Sequence, residues 1–328
     1  MRVLVTGGSG FLGSHVVVKL QEAGHEPVCL VRKSSDTRFL EERGATLVVG
    51  AVDDAASLEG AVRGVDAVVH CAGLVKAKTY EDFLRVHEGG SLALFEAAKK
   101  HAPNLRRFVH VSTAGVMGQG SPSRPHREED APNPATPYSR SKLAGEQALT
   151  SRKEELPLTV LRPPAIYGPR DNEILAFFQM VNNTRMAFRF AGAMQSMSLV
   201  YGEDCAEACV LAVEKDVPSG STYFLEDGSV YSFEDMARAI ASALGVGLLG
   251  APPIPRGIIS AAAFGSELFE KISGKTMIFK RDKLPELFME HFIVDSQKAQ
   301  RELGWQPKVK FREGAQTTAQ WYREAGWL

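Results

Sequence analysis

The sequence contains little cysteine, and its four cysteines follow no recognised binding pattern. Cys29, Cys71, Cys205 and Cys209 form neither a C-x-x-C pair nor a zinc-binding spacing. Cys205 and Cys209 would share one face of a helix, where two buried apolar thiols are more common than two metal ligands. We therefore expect neither a metal site nor a disulfide bond.

An excess of charge of one sign is also absent. The chain has 38 Lys and Arg residues against 39 Asp and Glu residues, a formal net charge of −1 and a sequence pI of about 6.7. This balance provides no electrostatic attraction to nucleic acid or to an anionic membrane surface. We therefore expect no nucleic-acid partner.

Long uncharged apolar runs are missing too. The apolar stretch 257–273 is short and contains Glu267, Glu270 and Lys271, which excludes a membrane-spanning helix. A helix that covers a groove or packs within a lobe is expected there, with an interfacial anchor as the alternative. Because the first predicted strand begins at residue 2, we expect no signal peptide and a cytoplasmic protein.

What the sequence does contain is a glycine-rich turn between an apolar strand and a helix near residue 10. The glycines fit the dinucleotide-binding fingerprint in either of two alignments, at Gly8, Gly10 and Gly13 or at Gly7, Gly10 and Gly13. Such glycines allow a tight turn, a close approach of the backbone to a pyrophosphate, and close packing of helix on strand. The helix N-terminus would hold the phosphates. A plain turn is the alternative, but the strand–turn–helix context favours cofactor binding.

Strand-like and helix-like segments alternate through the first half of the chain. The later predicted strands cover residues 28–31, 46–49, 67–70, 108–111 and 158–161. Their continuous apolar runs are typical of parallel strands buried on both faces and joined by right-handed crossovers. We predict an α/β fold with a Rossmann-type doubly wound parallel sheet in a domain at 1–170, to which 198–213 is a candidate to return. A smaller C-terminal α/β substrate lobe is predicted at 171–328.

Tyr138 and Lys142 form the candidate proton-transfer pair, because residues four apart lie on one face of a helix. An ammonium beside a phenol favours the phenolate and so lowers the pKa of the tyrosine towards neutrality. Such a tyrosine could exchange protons with a substrate, provided that a hydride carrier lies beside it. The pair alone is also consistent with coincidence. Pro137 suits the first turn of the helix that would carry the pair.

These motifs together resemble the extended short-chain dehydrogenase/reductases, which include nucleotide-sugar epimerases and dehydratases, steroid reductases and flavonoid reductases. Further matching segments lie at 70–73, 111–113, 162–170, 199–204 and 302–307. The resemblance implies that Thr113, 25 residues before Tyr138, hydrogen-bonds the substrate oxygen. Tyr138 would then transfer a proton to or from that oxygen, and Lys142 would lower its pKa and hold the nicotinamide ribose. A threonine that bonds only its own backbone is the alternative for Thr113.

The same resemblance implies which residues bind the ligands. The cofactor-binding residues would be Gly7, Ser9, Gly10, Phe11, Leu12, Gly13, Arg32, Lys33, Ala51, Val52, Cys71, Ala72, Gly73, Lys142, Pro163 and Ile166. The substrate-binding residues would be Val75, Gly115, Pro164, Ala165 and Met197. Two positions depart from the family habit: Ala51 stands where relatives often carry Asp for the adenine, and His87 replaces a common Asn. The sequence provides no functional account of His87.

The end of the second predicted strand indicates which dinucleotide is bound. An enzyme that uses NAD carries a carboxylate there for the ribose hydroxyls, whereas this chain has Arg32 and Lys33. A guanidinium can bind a 2′-phosphate through two parallel hydrogen bonds. We therefore predict NADP(H), with NAD as the alternative and Arg38 as a candidate second contact. An Arg32 that stacks on adenine or faces solvent is the other interpretation.

Departures from the family pattern also bear on the reaction. Ala114 and Gly115 stand where dehydratases carry the Asp-Glu pair that eliminates water. Ala165 and Met197 stand where nucleotide-sugar enzymes usually carry Asn and the Arg that answers the substrate diphosphate. The segment 186–197 is rich in apolar, flexible side chains that could contact an apolar substrate or simply fill a core. Arg185 and Arg189 remain as candidate cations for a diphosphate, so a sugar nucleotide stays an alternative substrate.

We therefore predict an NADP(H)-dependent oxidoreductase that interconverts a ketone and a secondary alcohol on a mainly apolar small molecule. A nucleotide-sugar epimerase with tightly bound NAD is the first alternative, and a non-catalytic dinucleotide-sensing module is the second. The family habit further implies a homodimer.

Overall fold

The computed structural model describes residues 1–191, 195–273 and 284–328 as an alternation of strands and helices. The strands are β1 (Arg2–Thr6), β2 (Glu26–Val31), β3 (Thr46–Val49), β4 (Ala67–His70), β5 (Arg107–Val111), β6 (Leu158–Arg162), β7 (Ala165–Tyr167), β8 (Arg189–Phe190), β9 (Ser196–Met197), β10 (Leu199–Tyr201), β11 (Ser221–Phe224), β12 (Pro253–Ile254) and β13 (His291–Phe292).

The α-helices are α1 (Phe11–Glu22), α2 (Arg38–Glu42), α3 (Ala55–Val62), α4 (Tyr80–Leu84), α5 (Ser91–His101), α6 (Pro137–Thr150), α7 (Leu175–Thr184), α8 (Gly202–Glu214), α9 (Phe233–Leu244), α10 (Arg256–Ser273), α11 (Leu284–Leu287), α12 (Gln297–Leu303) and α13 (Phe311–Glu324). A π-helical segment, Arg85–Gly90, joins α4 to α5, and a 3-10 turn, Ala114–Met117, follows β5.

The main sheet has seven strands in the order β11-β6-β5-β4-β1-β2-β3, and every pairing is parallel. The chain builds outward from β1 to β3 and then restarts at β4 on the other side of β1. The gap between the ends of β1 and β4 is therefore the topological switch point at which open α/β sheets bind ligands. The predicted doubly wound parallel sheet is confirmed.

The continuous apolar runs arise because both faces of this sheet are covered. Val3, Leu4 and Val5 of β1 are all fully buried. Val3 and Val5 pack in the cluster that contains residues of α1 and α8, whereas Leu4 packs in the cluster of α3 and α5. Strands buried in this way need no polar residue in alternate positions.

Residues of the predicted segment 198–213, and others beyond it, pack against the main sheet. Helix α8 packs on the same face of the sheet as α1. Strand β11 then adds to the outer side of β6, and Ala299, Leu303 and Trp305, from α12 and the loop after it, join the same core cluster. The sheet is thus completed by residues that lie well beyond 213.

A separate apolar cluster forms the smaller C-terminal α/β lobe. It contains Phe178 of α7, Ile240 of α9 and Tyr322 of α13, with two short strand pairs, β8–β12 and β9–β13, beside them. Helix α10 covers the predicted stretch 257–273 and packs through Ile259 and Ala263. Among the described residues, each helix is too short or too polar to cross a membrane.

Candidate active site

Three adjoining cavities form one cleft at the carboxyl edge of the sheet. We call them the cofactor cavity, of about 450 Å³, the central cavity, of about 380 Å³, and the apolar cavity, of about 390 Å³. Phe11, Leu12 and Cys71 line both the cofactor cavity and the central cavity. Thr113 and Pro164 line both the central cavity and the apolar cavity. The central cavity therefore lies between the cofactor cavity and the apolar cavity and adjoins both.

The glycine turn shapes one wall of the cofactor cavity. Gly7 has a φ of 75°, which favours glycine, and its carbonyl accepts a hydrogen bond from Gly10 N at 2.9 Å. A Cβ at Gly13 would collide with the same carbonyl of Gly7. Helix α1 begins at Phe11 with no side-chain cap and no acidic residue in its first turn. Its first amides therefore remain available to phosphate oxygens, so the turn fits a dinucleotide pyrophosphate.

The far end of the cofactor cavity is lined by Arg32, Ser35 and Asp53. Arg32 is exposed, and within the described residues no hydrogen bond or ion pair to its guanidinium is found. Lys33 is exposed and does not line the cavity. Arg38 is bound to the carboxylate of Asp36 through Nε at 3.0 Å and Nη2 at 2.6 Å. Arg32 is thus better placed than Arg38 to meet a phosphate.

Ala51, which stands where relatives often carry Asp, lies in the wall of the cofactor cavity as predicted. Ala51 and Val52 line the cavity, but the Ala51 amide already donates to Ser57 Oγ at 3.0 Å. Asp53, two positions later, also lines the cavity, and the sequence analysis missed it. Its carboxylate lies 3.5 Å from the guanidinium of Arg85, so its negative charge is partly balanced.

Thr113, Tyr138 and Lys142 all line the central cavity. Tyr138 is at the start of α6, where Thr136 caps the helix by accepting from Ser139 N at 3.1 Å, and Pro137 takes the first position. Thr113 Oγ1 accepts from Gly115 N at 3.1 Å, as the alternative interpretation expected. An accepting oxygen keeps its own proton, so this hydroxyl can still donate into the cavity.

Lys142 is buried between α6 and β5. Its Nζ donates to the carbonyl oxygen of Val111 at 2.7 Å. Burial lowers the pKa of Lys142 to about 8, although the thiol of Cys71 and the carboxylate of Glu146 act in the opposite direction. The ammonium is thus held by the backbone at the end of β5, on the catalytic side of the cleft.

The apolar cavity has a different character. Its described lining contains neither Lys nor Arg, and its polar side chains are Thr113, Tyr167, Asp171 and Glu173. Asp171 accepts from the amides of Glu173 at 2.8 Å and Ile174 at 3.2 Å. Burial raises the pKa of Asp171 to about 6. The remaining lining residues are Gly115, Pro164, Ala165, Ile166, Ile174, Met197, Leu199, Met289 and Phe292.

Arg185 and Arg189, which left a nucleotide sugar as an alternative substrate, lie outside the lining of the apolar cavity. Arg189 Nε is 3.0 Å from the carboxylate of Glu234, and Arg185 ends helix α7 in a left-handed conformation. The segment 186–197 contributes Met197 to the lining, while 192–194 fall outside the described residues. The described part of the chain also contains no group of three or more His, Cys, Asp or Glu placed to hold a metal ion.

The predicted site residues therefore gather in one cleft. Apart from Lys33, every predicted cofactor residue lines the cofactor or central cavity, and every predicted substrate residue lines the central, apolar or cofactor cavity. The sequence analysis missed several lining residues, among them Leu74, Phe83, Asp171, Glu173, Met289 and Phe292. Asp171 and Glu173 directly follow a matched segment and could have been noticed. Met289 and Phe292 carry no such signal.

Comparison with known proteins matches nearly the whole chain. A model of the NAD dependent epimerase/dehydratase family matches residues 3–225. The chain is 30% identical to a ceramide reductase of Caulobacter vibrioides, covering 99% of this chain and 96% of that protein. It is 28% identical to a 4-hydroxy-2-methyl-3-oxo-4-farnesyl-3,4-dihydroquinoline-1-oxide ketoreductase of Stigmatella aurantiaca, with 96% and 94% covered. A crystal structure of UDP-glucose 4-epimerase with UDP-glucose from Thermotoga maritima superposes with a TM-score of 0.79, at 25% identity and 99% coverage of both chains.

Proposed function

The chain belongs to the NAD dependent epimerase/dehydratase family, within the extended short-chain dehydrogenase/reductases, and on this basis we propose that it reduces a ketone on a mainly apolar small molecule with NADPH. Enzymes of this family use a dinucleotide and a small-molecule substrate. The observation that carries the proposal is the apolar cavity, which adjoins Thr113 and has no Lys or Arg in its described lining.

The charge of this cavity argues against a nucleotide-sugar substrate. A buried diphosphate needs cations or many hydrogen-bond donors, since an unpaired buried charge is costly. The lining instead includes Met197, Met289 and Phe292, together with Asp171 and with Glu173, which lies 3.9 Å from Lys76 Nζ. Two relatives are named as reductases, one of ceramide and one of a compound with a farnesyl group. Their names support an apolar substrate.

The reaction would add a hydride to the carbonyl carbon and a proton to its oxygen. NADPH supplies the hydride when it is bound. Thr113 would donate a hydrogen bond to the carbonyl oxygen and so orient it in the central cavity. Tyr138 would transfer its phenolic proton to that oxygen as negative charge develops on it. Lys142, held by the Val111 carbonyl, would stabilise the tyrosinate that remains.

The preference for NADPH rests on the far end of the cofactor cavity. Arg32 and Ser35 would bind the 2′-phosphate, the first through paired charged hydrogen bonds and the second through its hydroxyl. The turn Gly7–Gly13 and the first amides of α1 would hold the pyrophosphate. The loop 71–73 and the residues Pro163 and Ile166 would border the nicotinamide end.

The test is a fluorescence titration with NADPH and NADH, followed by a screen of ketones and UDP-sugars for net cofactor oxidation. We expect tighter binding of NADPH, and its oxidation by ketones with long or polycyclic apolar groups. Activity restricted to UDP-sugars, with NAD retained through purification, would instead identify an epimerase. Cofactor binding without any turnover, unaltered by Tyr138→Phe, would identify a sensing module.

A further inference from the structure

His87 lies next to the central cavity, outside its lining, and forms hydrogen bonds to the loop 71–75 and to helix α6, both of which line that cavity. Leu74 N, in the loop 71–75, donates to His87 Nε2 at 2.9 Å. On the other side of the ring, His87 Nδ1 lies 2.8 Å from Ser141 Oγ. Ser141 Oγ in turn donates to the carbonyl oxygen of Tyr138 at 2.7 Å. One imidazole thus connects the loop that lines the cofactor and central cavities to the helix that carries Tyr138.

The direction of each bond in this chain is fixed. A backbone amide can only donate, so His87 Nε2 must carry no proton. The neutral ring then has its proton on Nδ1 and donates it to Ser141, which uses its own proton on Tyr138 O. Burial, aided by the nearby charge of Lys142, lowers the pKa of His87 to about 3. His87 therefore stays neutral at ordinary pH and takes no part in proton transfer.

A second chain of hydrogen bonds holds the same loop. Ala72 N donates to Thr6 Oγ1 at 3.2 Å, and Thr6 Oγ1 lies 2.7 Å from His70 Nδ1. His70 Nε2 lies 2.8 Å from Ser91 Oγ, which donates to the backbone carbonyl of His87 at 2.6 Å. The loop is therefore fixed at two of its amides, and both chains meet at His87.

Close packing leaves the ring little freedom. The His87 ring stacks on Phe83 at a centroid distance of 5.6 Å, and the Tyr138 ring meets it edge to face at 5.6 Å. A Cβ at Gly73 would lie 3.2 Å from His87 Nε2. A side chain at Gly145 of α6 would collide with the His87 carbonyl. The π-helical turn Arg85–Gly90 carries His87 into this gap.

We propose that His87 is a positioning residue that holds the loop 71–75, through the Leu74 amide, at a fixed distance from Tyr138. This inference rests on the proposed function, in which that loop borders the nicotinamide end of the dinucleotide and Tyr138 provides the proton. Hydride transfer is sensitive to such a distance, because a misplacement of about 1 Å can cost on the order of 100-fold in rate.

Three substitutions test separately the two hydrogen bonds of the His87 ring, to Leu74 N and to Ser141 Oγ. His87→Gln keeps an acceptor near the Nε2 position, whereas His87→Asn keeps a donor near the Nδ1 position. His87→Phe retains the ring and its stacking on Phe83 but loses both bonds. His101→Phe, at the end of α5 and outside the described lining of all three cavities, is the control.

The first readouts are the NADPH dissociation constant and the separate values of kcat and KM. We expect His87→Phe to weaken NADPH binding and lower kcat by about 10-fold to 100-fold each, with a smaller change in substrate KM. His87→Gln should recover NADPH binding to within about 3-fold of the native protein, His87→Asn should not, and His101→Phe should match the native protein. Unchanged binding and kcat in His87→Phe would overturn the proposal, as would an equal loss in all three variants.

A second readout needs no substrate and no variant that folds poorly. In the native protein, nitrogen NMR of labelled histidine should show His87 with an unprotonated Nε2 and a protonated Nδ1, unchanged between pH 5 and pH 9. A proton on Nε2, or titration in that range, would overturn the proposal. If the protein reduces no ketone, the proposed function fails, but the tautomer and the NADPH dissociation constants still decide the role of His87.

Discussion

Lys142 shows how the surroundings of one side chain set its chemistry. Burial alone would discharge a lysine, and the Val111 carbonyl and the nearby Glu146 carboxylate limit that effect. A pKa of about 8 leaves the amine charged at neutral pH and neutral in mildly alkaline solution. The charge is therefore present where the proposed chemistry needs it, and it reduces the stability of the fold.

This cost predicts a pH-dependent effect of Lys142→Met. Burial lowers the pKa of Lys142 from its usual 10.5 to about 8 in the folded protein, so the folded state disfavours the ammonium fully below pH 8. The cost then disappears as the pH rises towards 10.5. Relative to the variant, the native free energy of unfolding should rise by roughly 2–3 kcal/mol between pH 7 and pH 10. Urea unfolding at both values tests this, and a constant difference would contradict it.

The predicted preference for NADPH over NADH depends on Arg32. Its guanidinium lines the cofactor cavity, so Arg32→Ala should raise the NADPH dissociation constant by about 10-fold to 100-fold and that of NADH by less than about 3-fold. The control is Lys33→Ala, since Lys33 is exposed and outside the cavity lining. Fluorescence titration measures both constants. Equal weakening of NADPH and NADH by Arg32→Ala would contradict the assignment.

At the scale of a single element, the glycine turn depends on the absence of side chains. Gly13→Ala should abolish tight dinucleotide binding, because its Cβ would collide with the Gly7 carbonyl of the turn. Gly60→Ala is the matched control: Gly60 is also helical, and an added Cβ would meet nothing within 4 Å. It should raise the unfolding free energy by up to about 1 kcal/mol through helix propensity. Unaltered NADPH binding in Gly13→Ala would contradict this account.

Helix α6 is anchored to the sheet by a buried ion pair. Arg162 of β6 binds Glu146 of α6, and both side chains are almost fully buried. Glu146→Gln should lower the free energy of unfolding by about 3–5 kcal/mol, because it leaves a buried guanidinium without its counter-charge. The exposed pair of Arg63 and Glu59 provides the control, since Glu59→Gln should cost less than about 1 kcal/mol. Chemical unfolding compares the two, and similar losses would contradict the role given to burial.

Six of the seven strands of the main sheet were predictable from sequence because their signal is local, whereas β11 was not predicted. The run 67–69 is apolar because both faces of β4 are covered, and all four residues of the strand, including His70, are buried. Strands β9 and β13 leave no such pattern. Each has two residues, and their pairing joins Ser196 to His291 across the chain. Such a pair is specified by the packing of the whole lobe.

The same contrast applies to the site. The turn Gly7–Gly13 and the pair Tyr138 and Lys142 could be found because each follows a spacing along one element. The role inferred for His87 could not, since it depends on a π-helical turn that presents the ring to Leu74. The sequence marked His87 only as a departure from the family habit.

At the scale of the whole molecule, the cleft is built from two parts of the chain. The sheet edge provides Thr113, Tyr138 and Lys142, while Met289 and Phe292 enter the apolar cavity from a segment about 150 residues further on. What the motif positions lack favours an apolar substrate, whereas the shape of the apolar cavity depends on these distant residues. The homodimer and the cytoplasmic location stay predictions.

Transfer of deuterium from [4,4-²H₂]NADPH to an apolar ketone tests the central proposal most directly. The product alcohol should carry deuterium on its carbinol carbon, one atom for each NADPH consumed. Tyr138→Phe should lower this rate by about 100-fold or more while NADPH still binds. The account would be contradicted if no deuterium reached any ketone while the protein, with NAD retained, epimerised a UDP-sugar.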